Sequence, residues 1–172
     1  MKLYFYCFFI ILIAIGCKNN STDKKIDQAE INEKLTKMNR IIVENESKKI
    51  EDFIKSHSFE TQMTGTGLRY QIYKHGSGEK PGNRAEVEIK YKVFLLDGKL
   101  CYSSDSTGAV KIRLGVGEQV RGLEEGILLM VPGDHAHLIL PSHLGFGMTG
   151  DQSKIPPGSA LYFNVELLNI TK

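Results

Sequence analysis

Residues 86–93 read Glu-Val-Glu-Ile-Lys-Tyr-Lys-Val, and their alternation is strict. Val87, Ile89, Tyr91 and Val93 share one face; Glu86, Glu88, Lys90 and Lys92 share the other. Successive side chains of a strand point to opposite sides, so this period of two marks a half-buried strand of an antiparallel sheet. Residues 161–168 repeat the pattern, with Leu161, Phe163, Val165 and Leu167 inward. Residues 68–73 and 110–114 carry weaker versions, and 135–140 ends in a continuous apolar run, as a central strand does. Asp97-Gly98 lies between two strand-like runs and signals a hairpin, because glycine accepts positive φ.

One stretch of this region has helical spacing instead. Val120, Leu123, Ile127 and Met130 recur at steps of three and four. Gly122 and Gly126 make it a poor helix alone, so packing on the sheet must hold it. Pro132-Gly133 ends it, because proline cannot continue the hydrogen-bond ladder. One short helix against an antiparallel sheet gives an α+β domain of about a hundred residues, enough for its own core.

Asp97-Gly98-Lys99, Ser103-Ser104, Val120-Arg121-Gly122-Leu123-Glu124-Glu125-Gly126 and Ile155-Pro156-Pro157-Gly158-Ser159-Ala160-Leu161-Tyr162-Phe163 follow one another in order. In residue type and spacing they resemble the FK506-binding-protein (FKBP) family of peptidyl-prolyl cis/trans isomerases. The resemblance covers residues 66–172. It implies an antiparallel sheet curled around one short helix, and rotation of X-Pro bonds in proline-containing polypeptides. It implies no cofactor and no metal.

That chemistry suits the residues present. An X-Pro bond rotates over a barrier of ~18–20 kcal/mol, on a scale of tens to hundreds of seconds. The planar amide is stabilised by charge separation between oxygen and nitrogen. A dry apolar pocket disfavours that form relative to the twisted one, without nucleophile or metal. By the resemblance, the catalytic positions are Tyr91, Phe146, Phe163, Leu123 and Val120. Leu123 would be the floor, and Tyr91, Phe146 and Phe163 aromatic walls. The Val120 N–H would bind a substrate carbonyl. Substrate-binding positions are Cys101, Tyr102, Val110, Gln119 and Ile155, the last on a loop over residues 141–158 that overhangs the pocket. The family commonly has Phe at 101, Asp at 102, Trp at 123 and Tyr at 146. Loss of the carboxylate and the hydroxyl removes two polar handles, each worth ~0.5–1.5 kcal/mol net. A second reading therefore stands beside the first: a binding or chaperone module on the same fold, with weak or no turnover.

The chain starts differently. Lys2 precedes an apolar run over 3–15, shorter than the ~20 residues that span a bilayer. Ile13-Ala14-Ile15-Gly16-Cys17 resembles a bacterial lipobox, with cleavage before Cys17 and a diacylglycerol on its thiol. Soluble secretion and an uncleaved anchor are the alternatives. Loss of the signal at 1–16 removes Lys2 and lowers the formal charge from +2 to +1. A nearly neutral chain offers no electrostatic case for nucleic acid. Of three cysteines, Cys7 would leave with the signal and Cys17 would be acylated. Cys101 then has no internal disulfide partner. It reads as a buried small hydrophobe or as a reactive thiol at the pocket mouth.

Residues 17–25 read as a polar tether. By resemblance to lipoprotein sorting, Lys18 after Cys17 favours the outer membrane, with the domain expected in the periplasm of a bacterial envelope. Residues 26–57 read as a helical extension, with Ile31, Leu35, Met38 and Ile42, then Ile50, Phe53 and Ile54, along one broken stripe. It is either a spacer docking on its own domain or an arm for a homodimer. Residues 58–67 read as a linker, and 68–172 as the isomerase domain. Leu96-Asp97-Gly98-Lys99-Leu100-Cys101-Tyr102-Ser103-Ser104 and His143-Leu144-Gly145-Phe146-Gly147, together with the lipobox and the helix, look most like the gliding-motility-associated lipoprotein isomerases of Bacteroidetes.

His135-Ala136-His137 places two imidazoles on one side of a strand. That reads as two surface histidines or as a weak metal pair. Gly76-Ser77-Gly78 and Gly115-Val116-Gly117 are turns and not phosphate cradles, since neither opens a helix after a strand.

Overall fold

The computed structural model describes residues 28–171, and the signal, Cys17 and the tether lie outside them. Two compact units divide between Met38 and Asn39. Helix α1 is Gln28–Ser56. In the first unit its turns are polar, with an exposed Lys34–Glu30 ion pair of 2.6 Å, and Leu35 and Met38 are exposed.

The second unit is the sheet domain. Its strands are β1 (Gln62–Met63), β2 (Arg69–Lys74), β3 (Glu86–Leu95), β4 (Leu100–Ser103), β5 (Val110–Arg113), β6 (His135–Leu140) and β7 (Leu161–Thr171). The order across the sheet is β1-β2-β6-β7-β3-β4, with β5 paired to β3 beyond the end of β4, and every pairing is antiparallel. Helix α2 (Arg121–Ile127) packs on one face. This is the α+β architecture that the alternation implies.

The register carries one apolar face across the sheet. Val93 is opposite Phe163, which is opposite Leu138; Tyr91 is opposite Val165, which is opposite Ala136. These residues share a core with Leu123, Ile127 and Met130 from α2 and its exit. The helix stops well before Pro132. Leu128 is its C-cap, and single turns close through Leu129 and Met130. Asp134, which is buried, then holds the exit: its Oδ2 accepts the Val131 N–H at 2.8 Å and its Oδ1 the Gly76 N–H at 2.7 Å.

The other face of β6 is covered as well. Ile50, Phe53 and Ile54 from the end of α1 pack on Ile139, with Phe59, Leu96 and Tyr162 around them. Arg69 donates to Glu51 Oε1 at 2.9 Å and to Ser47 Oγ at 3.1 Å, and the Ser142 N–H donates to Glu46 Oε1 at 2.8 Å. This part of α1 therefore docks on its own domain, while Ile41, Ile42 and Val43 stay exposed.

Residues 58–67, expected as a linker, differ from that expectation. They contain β1, whose Gln62 and Met63 pair with Tyr70 and Arg69 through a turn closed by Thr64 N–H to the Leu68 carbonyl. The histidine pair also differs from two surface side chains. His137 lies between the rings of Phe59 and Tyr73, with centroids at 4.1 and 4.2 Å, and its Nδ1 is 2.8 Å from Tyr162 Oη.

Candidate functional site

Nine of the ten candidate pocket residues meet in one apolar cluster. Leu123, Cys101, Ile155 and Phe163 belong to the buried core of the domain, at 1, 1, 2 and 3 % exposure. Tyr91, Tyr102, Val110, Val120 and Phe146 pack against them half-buried. Gln119 is the polar exception; it lines a groove of about 470 Å³ with Val120, Phe146, Glu118, Arg121 and His143. Tyr91 does not line that groove. It borders another of about 250 Å³, with Lys90, Lys92 and Asp105.

Local sequence explains how each part is held. Ser104, which is buried, accepts the Tyr91 N–H on its Oγ at 2.9 Å and returns its own N–H to the Tyr91 carbonyl at 2.9 Å. Ser103 Oγ accepts the Asp105 N–H at 3.0 Å and turns the chain out of β4. The Ser103-Ser104 pair thus fastens Tyr91 in place. Val120 caps α2 in an extended conformation, and its carbonyl accepts the Leu123 and Glu124 N–H groups. Among the described residues no hydrogen bond takes the Val120 N–H.

The long loop after β6 begins with a 3-10 turn at Ser142–Leu144. Gly147 N–H returns to the Ser142 carbonyl at 2.8 Å, and Gly158 N–H closes on the Gly147 carbonyl at 2.9 Å. Ile155, from this loop, is buried within the cluster. Gly150 is required there. It has φ +66, and a Cβ would stand 2.3 Å from the Ile155 carbonyl oxygen.

Sequence reasoning missed Asp151. Its Oδ1 accepts the Ser153 and Ile155 N–H groups at 2.9 and 2.8 Å, and its Oδ2 accepts the Tyr102 hydroxyl. Position 102 itself carries no carboxylate; the Asp151 carboxylate comes from the loop and is taken up by the Tyr102 hydroxyl and the tip amides. An Asp two residues before a Ser is an Asx-turn signal, and it was available in Asp151-Gln152-Ser153. Burial pushes the Asp151 carboxyl up, but the bonds from Tyr102, Ile155, Ser153 and Lys154 outweigh it and bring its pKa to about 2. The same bond, and then burial, raises the Tyr102 phenol. Burial raises the Cys101 thiol, which points its Sγ at the carbonyls of Lys99 and Lys154, 3.7 and 3.8 Å away.

The site is therefore a largely apolar cluster beside an unpaired backbone N–H at Val120, with the Asp151 carboxylate committed to Tyr102 and the loop tip. No acid–base pair or nucleophile is activated in it. Chemically it can desolvate and twist a bound amide.

Comparison with known proteins agrees with the fold. Residues 77–168 match the family model for FKBP-type peptidyl-prolyl cis-trans isomerases. The chain is similar to the FKBP-type peptidyl-prolyl cis-trans isomerase FkpA of Aeromonas hydrophila, at 34% identity over 92% of this chain and 61% of that one. It is similar to a peptidyl-prolyl cis-trans isomerase of Schizosaccharomyces pombe, at 37% identity over 60% of this chain and 95% of that one. Among solved structures, FkpA from Escherichia coli superposes with a TM-score of 0.66 at 31% identity, covering 86% of this chain and 74% of that one. The chain spans roughly half the length of several curated relatives it matches.

Proposed function

The chain belongs to the FKBP-type peptidyl-prolyl cis-trans isomerase family, and on that premise we propose that it is itself a rotamase acting on X-Pro bonds of polypeptides. One observation carries the reading: nine of the ten expected pocket residues, from five separate strands and loops and from α2, gather in one apolar cluster. In the proposed role Leu123 is the floor, Tyr91, Phe146 and Phe163 are walls, and the Val120 N–H holds the carbonyl. The test uses residues 18–172 and a chromogenic X-Pro tetrapeptide, with Tyr91→Ala and Phe163→Leu beside the parent. Turnover should fall on the order of tenfold or more in each variant, as removal of a contact worth ~1.4 kcal/mol in the transition state would do.

The four nearly inaccessible residues favour a second reading. A floor closed to this degree suits a binding module that grips a partner at the rim without turning over its proline. A folded parent chain with no turnover would select that reading.

We also propose anchoring in a bacterial envelope through a lipid on Cys17, a homodimer through the exposed apolar residues of α1, and service to exported proteins, including gliding-motility components. The lipobox, Lys18 and the motifs at 96–104 and 143–147 support these statements. Exposed Leu35, Met38, Ile41 and Ile42 support the dimer. Among the described residues no helix is long and apolar enough to cross a membrane. Intact mass of the envelope-extracted protein tests the lipid, sedimentation of residues 18–172 tests the dimer, and surface spreading of a deletion strain tests the motility role. An unacylated Cys17, a monomer or normal spreading would each remove the corresponding statement.

A further inference from the structure

The loop over 141–158 carries Phe146 and Ile155, and its tip is bound to β4 by three different contacts. The first is the Tyr102 hydroxyl on Asp151 Oδ2. In the second, the Lys154 ammonium lies 4.9 Å from the centroid of the Tyr102 ring, within cation–π reach. The third is the Cys101 thiol toward the Lys154 carbonyl at 3.8 Å. Asp151 also organises the tip itself. Besides the two amides on its Oδ1, its own N–H donates to the Ile155 carbonyl at 3.1 Å. A single carboxylate thus sets both the shape of the tip and its attachment. Hydrogen bonds to an ionised acceptor are roughly twice as strong as neutral ones, so this is the firmest of the three links.

We propose that Asp151 is a positioning residue for the isomerase site: by holding Tyr102 Oη it ties the 141–158 loop to β4 and sets Phe146 and Ile155 against the pocket. The Tyr102 hydroxyl has one proton, and Asp151 takes it. Tyr102 therefore acts on substrate through the loop it secures and not by donating to a substrate carbonyl. The carboxylate stays ionised throughout the pH range of an isomerase assay, so the tie persists there. This inference rests on the rotamase reading above.

The test is a double-mutant cycle on the tetrapeptide assay with Tyr102→Phe, Asp151→Ala and both together, with Asp151→Asn as the conservative variant. Each single substitution should lower kcat/KM about tenfold, and the double no further than the larger single, because all three lose one shared link. Asp151→Asn, which still hydrogen-bonds Tyr102 and the tip amides, should recover part of the loss. Amide hydrogen exchange adds a second readout. Asp151→Ala should expose the Ser153 and Ile155 amides, whereas Tyr102→Phe should leave them protected. If Asp151→Ala does not fold, Tyr102→Phe carries the test, since it removes one oxygen from a half-buried ring. Tyr102→Phe within twofold of the parent, or additive losses in the double variant, would overturn the positioning role alone. Absence of turnover in the parent would instead remove the rotamase reading and this role with it.

Discussion

His137 shows where sequence pattern stops informing. The alternation at 135–140 correctly puts His135 and His137 on the face of β6 opposite α2. It does not say what lies over that face, and here Phe59 and Tyr73 do. Burial, and then the charge of His57, brings the His137 pKa down to about 4, while burial pushes Tyr162 up to about 12. An unfolded chain protonates His137 below its ordinary 6.5, and the folded one does so only near 4. The stabilisation is therefore complete above about pH 6.5, declines as pH falls toward 4, and changes no further below. The ring is partly exposed, so solvent screening limits the effect to roughly 1–2 kcal/mol. Thermal unfolding from pH 7 to 4.5 should show this as a drop of several degrees that is smaller in His137→Phe. Parallel profiles for the two proteins would refute the assignment. Asp151 was hidden for a related reason: its local turn is written in the sequence, but its partnership with Tyr102, 49 positions away, is a product of the fold.

Helix α2 was legible by its spacing, and its glycines by their weakness, yet the reason for the glycines is tertiary. A Cβ on Gly126 would stand 2.4 Å from Leu138 Cδ1, and one on Gly122 2.5 Å from Leu140 Cγ. The helix thus lies with its backbone against β6, closer than any side chain allows. Alanine at 126 would gain up to ~1 kcal/mol of helix propensity. Against this stands overpacking of a fully buried leucine, which typically costs 1–3 kcal/mol, roughly. Gly126→Ala should therefore destabilise the domain by about 1 kcal/mol or more in denaturant unfolding; a gain in stability would show that β6 can yield. Strand β1 was not legible, because two residues have no measurable period, and its only signal was the turn at Thr64–Gly67. The end of α1 was legible as an apolar stripe. Which of its two readings applied to Ile50, Phe53 and Ile54 was decided by Ile139: the apolar run at 138–140 marks its side of β6 as covered without saying by what.

Across the sheet domain, the strands and helix α2 on one face followed from periodicity, and the pocket list followed from the family resemblance that four motifs carry. The burial of that pocket did not follow, since a list of apolar residues has no depth. One member of it has a use beyond recognition. Cys101 sits on β4, at the end of the sheet order, with 1 % of its surface exposed. In a chain starting at Lys18 it is the sole sulfhydryl. A thiol so enclosed, with its ionisation pushed up, meets an aromatic disulfide reagent only when β4 or the loop tip packed on it moves away. The protein thus carries its own stopwatch for opening around β4. Labelling should be slow, follow one exponential and quicken with denaturant in step with loss of the fold; a burst on mixing would mean that β4 or the loop tip over it breathes freely while the rest of the sheet stays shut.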